Sequence, residues 1–149
     1  MAILPILTYP NQRLLEVSKP VLEPMKISQQ FIYDLTETMF SVGGMGLAAI
    51  QVGVPERIAV MKFTGNRAEV IVNPEIVITN GEPVELIESC LSIPSKTFKV
   101  KRWKSIRVRV TRPFDGRTIL KNYHGIYAQC LLHELDHFLG KLINNDSNN

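Results

Sequence analysis

The chain has 149 residues, enough for one domain with a sizeable core, and its 45% hydrophobic and 21% charged content is that of an ordinary globular protein. No apolar run approaches the roughly 20 residues a membrane helix needs, and the N-terminus, broken by Pro5 and Pro10 and lacking a basic start, does not read as a signal peptide. Two cysteines, Cys90 and Cys130, argue against a disulfide framework and suit a reducing, cytoplasmic setting, while a net charge of +3 is modest.

The first segment, ILTYPNQRLLEVSKPV (6–21), is punctuated by prolines and reads as extended chain and turns. SQQFIYDLTETMF (28–40) spaces Phe31, Leu35 and Met39 as a helix does, with Ser28 as N-cap. GGMGLAAIQVG (43–53) breaks that pattern with four glycines. RIAVMKF (57–63) and EVIVNPEIVIT (69–79) are rich in β-branched residues and read as strands, followed by an Asn80-Gly81 turn. VELIESCLSIP (84–94) reads as a strand stopped by Pro94. SIRVRVTRPFDGRTILKNY (105–123) reads as a hairpin turning at Asp115-Gly116. GIYAQCLLHELDHFLGKL (125–142) is the strongest helix, apolar nearly all round and so expected to be buried on two sides. The sum is an α+β domain over 1–143, with the polar stretch 144–149 expected to fray as a tail.

Charge is unevenly placed. Ten of the seventeen Lys and Arg fall between Lys96 and Lys121, where Asp115 is the one acid. This stretch is either an electropositive face for nucleic acid or a ribosome surface, or the solvated side of a strand pair, since IRVRVT alternates apolar and basic.

The last helix carries HELDH (133–137). On a helix His133 and His137 project from one face, one turn apart, where both imidazoles reach one cation with Glu134 beside it. Two histidines under-coordinate a metal. The downstream patterns of zinc peptidases fail: Gly140 fits the HExxHxxGxxH spacing, but its last position is Ile143. Upstream, Cys130 lies three residues before His133 on the same helix, and Cys90 ends a strand from which it can close the site from another direction. Either cysteine is open on spacing alone.

Three stretches together resemble the peptide deformylases. GMGLAAIQ (44–51) is similar to that family's GxGLAAxQ, ESCLS (88–92) to EGCLS, and HELDH to HExDH, in the same order, with ILTYPNQRL and VNPEI also similar. The resemblance implies small antiparallel sheets packed around a central C-terminal helix carrying HExDH. It implies an enzyme that hydrolytically removes the formyl group from the formyl-methionine of nascent polypeptides, releasing formate. By position, Cys90, His133 and His137 become ligands of one divalent metal ion per chain, Fe(II) as the native metal with Zn(II), Ni(II) or Co(II) as substitutes. Glu134 becomes general base and then acid toward the metal's water, and Gln51 with the backbone N–H of Leu91 the oxyanion donors. Glu88 and Arg102 hold the cysteine loop. Gly44, Met45, Gly46, Leu86, Ile126 and Cys130 take the substrate and its methionine side chain.

Three departures stand out. Ser89 replaces the motif glycine and would be strained by about 1 kcal/mol or more if that position needs positive φ. Leu132 stands where the family usually has Gln, and Thr97 near a position where some members carry Arg. The chain ends twelve residues after His137, similar to short deformylases encoded by bacteriophages. A bacterial cytoplasm, or that of a phage host, and a monomer are expected, with formyl-methionyl nascent peptides as substrates. The competing readings are another small metallohydrolase, and an inactive protein using the basic 96–121 region on RNA or the ribosome.

Overall fold

The computed structural model describes residues 2–146. Helix α1 (Gln29–Ser41) begins where the Ser28 hydroxyl accepts from the Phe31 N–H at 3.1 Å. Strands β1 (Gly46–Ala48), β2 (Ile58–Lys62), β3 (Ala68–Asn80), β6 (Ser105–Thr111) and β7 (Thr118–His124) form an antiparallel five-stranded sheet in the order β1-β2-β3-β6-β7. Between β3 and β6 the chain makes a separate antiparallel hairpin, β4 (Val84–Cys90) with β5 (Ile93–Arg102). Helices α2 (Ile126–Phe138) and α3 (Ile143–Asp146) close the chain.

The near-continuous apolar run of β2 is explained by burial on both faces. Along β1 and β2, Ala48, Ala59 and Met61 join the core with Ala128, Leu131 and Leu132 of α2. The alternate residues Leu47, Ile58 and Val60 pack with Leu35 and Met39 of α1. The sheet is thus sandwiched locally between two helices. β6 shows the half-buried alternation its sequence suggests, with Ile106, Val108 and Val110 inward and Arg107 and Arg109 outward. A third cluster, Leu14, Cys90, Ile93, Val100, Leu142 and Ile143, seats the β4–β5 hairpin on the chain's end.

Two expectations are corrected. Pro94 does not stop a strand: β5 starts at Ile93 and runs through it, tolerated because it sits beside a break in register at the hairpin's end, where a missing N–H costs little. The stretch from 144 does not begin as a frayed tail, because α3 continues to Asp146, fastened by the buried Leu142 and Ile143; positions 147–149 lie outside the described residues. Gly140, which fitted a peptidase spacing, caps α2. Its N–H donates to the His137 carbonyl and that of Lys141 to the Asp136 carbonyl, with Gly140 at φ 73°. A Cβ there would also overlap the Leu15 carbonyl oxygen.

Candidate metal centre

The centre lies where α2 passes the end of β4. Period 3.6 puts His133 and His137 on one helix face, and the turn after β4 delivers Cys90 opposite them. Cys90 Sγ is 3.4 Å from His137 Nε2, and the two Nε2 atoms are 3.2 Å apart. One donor atom from each of these three residues lies within 4.8 Å of the others. Ligands at about 2.0–2.3 Å in a tetrahedral set stand roughly 3.3–3.8 Å apart, so the spacing fits a cation. The donor chemistry agrees. Glu88 Oε1 lies 2.9 Å from His133 Nδ1. Burial alone would raise the Glu88 carboxyl, but hydrogen bonds from Arg102 and His133 hold it down at about 2. An ionised Glu88 can only accept, so His133 donates from Nδ1, and Nε2 is the ring nitrogen turned toward Cys90 and His137.

Arg102 ties this arrangement together. Its Nε and Nη2 donate to the two Glu88 oxygens at 2.7 and 2.8 Å, and its Nη1 donates to Asp136 Oδ2 at 2.7 Å. The guanidinium is buried and its pKa is raised, despite desolvation, by the two carboxylates. One side chain from β5 therefore fixes β4 and α2 at once. It is also a basic residue of the 96–121 stretch that faces inward rather than forming part of a surface.

A cleft of about 520 Å³ opens beside the three donors. Glu134 sits in its wall, 2% exposed, with Oε1 lacking a partner among the described residues. Burial pushes its carboxyl up to about 7, with His133 beside it pulling the other way. Gly46 allows the close approach: a Cβ there would overlap Glu134 Oε2 and lie 2.8 Å from Cys130 Sγ. Gln51 is held firmly, its Oε1 accepting from Ala48 N–H at 2.9 Å and its Nε2 donating to Ser92 Oγ at 3.0 Å. The amide nitrogen also lies 3.8 Å from Cys90 Sγ, so its two protons face Ser92 and the cysteine at the edge of the cleft, which Gln51 lines with Leu91.

The comparisons with known proteins fall on this fold and site. The family described as Polypeptide deformylase matches residues 3–149. The chain belongs to the polypeptide deformylase family. A peptide deformylase of Polynucleobacter necessarius is 40% identical over 95% of this chain and 84% of its own length. Among solved structures, the peptide deformylase of Thermotoga maritima superposes with TM-score 0.91 at 32% identity, covering 98% of both chains. That of Legionella pneumophila gives TM-score 0.90 at 38% identity, covering 97% of this chain and 86% of its own. This deformylase is a hydrolase that removes the N-formyl group of nascent polypeptides, on an α+β fold of antiparallel sheets around α2. No helix among the described residues is long and apolar enough to cross a membrane.

Of the residues singled out from sequence, Gly44, Met45, Gly46, Gln51, Glu88, Cys90, Leu91, Ile126, Cys130, His133 and Glu134 all line the deformylase cleft. Arg102 and His137 lie outside its lining, and among the residues expected to take the substrate Leu86 is the exception. The cleft wall takes its neighbour Ile87, 68% exposed, instead. Cys130, the rival third ligand, lies outside the donor cluster: its Sγ is 3.4 Å from the Met45 carbonyl and 3.9 Å from Glu134 Oε2, and burial with Glu134 alongside raises its pKa, keeping it a thiol. Ser89 carries no strain of the kind a positive φ would bring. The non-glycine residues with positive φ among those described are Asn73 and Ser95, whereas Ser89 lies in β4 paired with Thr97. Sequence reasoning passed over Ser92, which fixes Gln51, and the clamp role of Asp136. No spacing rule reveals either, because their partners are 41 and 34 residues away.

Proposed function

We propose that this deformylase acts through one divalent metal ion held by Cys90, His133 and His137, with Glu134 as the proton carrier. The observation behind this reading is the convergence of the three donors beside a buried carboxylate that has an unpaired oxygen. Such an ion supplies a Lewis acid and a water nucleophile at neutral pH. Glu134 would accept a proton from the attacking water and return it to the leaving amine; a carboxyl raised toward 7 by burial suits both duties. An N–H of the Gln51 amide, the one that faces Cys90 Sγ, and the backbone N–H of Leu91 would stabilise the negative charge developing on the formyl oxygen. Gly44, Met45 and Gly46 receive the peptide backbone, and Ile126 and Cys130, with Ile87 taking the place expected for Leu86, receive the methionine side chain.

The thiolate makes the ion a milder Lewis acid than a carboxylate would, sufficient for an unhindered formamide. Fe(II) is the proposed native metal, with Zn(II), Ni(II) or Co(II) able to replace it. The chain is read as a single catalytic domain over 1–143, a monomer of a bacterial or phage-host cytoplasm. Exposed Lys101, Lys104, Arg107 and Arg117 favour contact with the ribosome surface, although Arg109 and Arg112 are offset by Glu75 and Asp115. Sedimentation with ribosomes at low and high salt tests that contact.

The site reading is tested by formate release from formyl-Met peptides under anaerobic conditions, with metal content measured on the same samples. Glu134→Ala is expected to keep its metal and lose at least about 100-fold in kcat, and Cys90→Ala to lose the metal. Full metal content in Cys90→Ala would show that the third ligand is another residue.

A further inference from the structure

Two polar atoms of the interior take no part in the hydrogen bonds above. His137 Nδ1 and Ser18 Oγ are both fully buried, and no protein group among the described residues pairs with either. They belong to adjoining backbone. The Ser18 N–H donates to the carbonyl of Phe138, the residue after His137, at 2.8 Å, and the Ser18 carbonyl accepts from Arg57 Nε at 3.0 Å. Ser18 is thereby fastened to the C-terminal end of α2, with its side chain 1% exposed.

The two ligand histidines differ in support. An imidazole that offers Nε2 to a metal keeps its proton on Nδ1 and needs an acceptor for it. His133 has Glu88 for this purpose. His137 has no carboxylate, and a buried N–H without an acceptor is costly. A hydroxyl both donates and accepts. Ser18 Oγ makes no direct hydrogen bond to Nδ1, and a buried water, which makes two to four hydrogen bonds, can serve both.

We propose that Ser18 and His137 share one ordered water that accepts the Nδ1 proton of His137 and hydrogen-bonds to Ser18 Oγ, making Ser18 a positioning residue for the second histidine of the centre. This rests on the reading of His137 as a metal ligand. It gives the N-terminal segment a direct hold on the metal site: the polar partner of His133 comes from β4, and that of His137 from the chain before α1.

The test is Zn(II) affinity of the metal-free protein, measured against a competing chelator, with melting temperatures of the metal-free variants as a control for folding. Ser18→Ala and Ser18→Val are expected to bind zinc about 10–100-fold more weakly than wild type, the usual effect of losing a ligand histidine's partner. Ser18→Thr, which keeps the hydroxyl, is expected to recover most of that loss. In zinc-loaded protein the His137 Nδ1 proton should be visible by 15N-edited NMR in wild type and exchange faster with solvent in Ser18→Ala. Equal zinc affinity and equal Nδ1 exchange in wild type and Ser18→Ala would overturn the proposal while leaving the metal centre intact. Failure of the wild type to bind zinc would overturn the metal reading and this inference together.

Discussion

Gly46 stands where β1 passes the carboxylate end of Glu134, and a single methyl group there would meet both Glu134 and Cys130. Gly46→Ala is therefore expected to displace Glu134 and cut kcat by about 100-fold or more, the usual contribution of a positioned general base. Metal content should stay at one equivalent, which metal analysis of the purified variant checks. Ser89 gives the opposite lesson. Its resemblance to a motif glycine suggested strain, but its backbone is ordinary strand. Glycine in a strand loses more conformational freedom on folding, so Ser89→Gly should destabilise by about 0.5–1 kcal/mol rather than stabilise. Urea unfolding of the two proteins decides the sign.

At the scale of elements, the centre depends on how β4, β5 and α2 are joined, and Arg102 joins all three. A lysine offers one charge and no planar fork, so it cannot serve Glu88 with two parallel bonds while reaching Asp136. Arg102→Lys is expected to lower unfolding free energy by about 2–4 kcal/mol, because a buried carboxylate is left incompletely paired. It should also weaken zinc binding, since Glu88 no longer orients His133. Chelator competition on Arg102→Lys and Asp136→Asn would separate the two arms of the clamp; unchanged affinity in both would mean the clamp does not hold the histidine. The sequence showed β4 and α2 but not β5. It did not show that Pro94 lies inside β5, since only the pairing Cys90↔Ile93 makes the hairpin end so tightly.

For the whole molecule, a metal bound between Cys90 and the two histidines ties α2 to the β4–β5 hairpin, so it binds the folded state alone. Free metal at 100 times Kd adds about 2.7 kcal/mol, which should raise Tm by about 5–10 °C in a chain of this size; a chelator should reverse the shift. Acid acts through the same junction. Glu88 is held at about 2 against an ordinary value of 4.5. Its stabilisation is complete above about 4.5, where both folded and unfolded chains are ionised, and is lost as pH falls from there toward 2. The loss is on the order of 3 kcal/mol. Unfolding of metal-free protein across pH 6 to 3 should show that slope, and Glu88→Gln should flatten it.

The sequence by itself pointed to the family and brought His133, Glu134 and His137 together, because HELDH needs only helical geometry to do so. It also determined the two faces of β6, since alternation there is a local property. The tertiary structure decided which cysteine completes the donor set, 43 residues upstream of His133. It also decided that Ile87 rather than Leu86 walls the cleft, that Ser89 sits in ordinary strand, and that Arg102 leaves the basic stretch to be buried. Each of these depends on the register between strands and on what packs across from them, and neither is encoded in the spacing of neighbours along the chain.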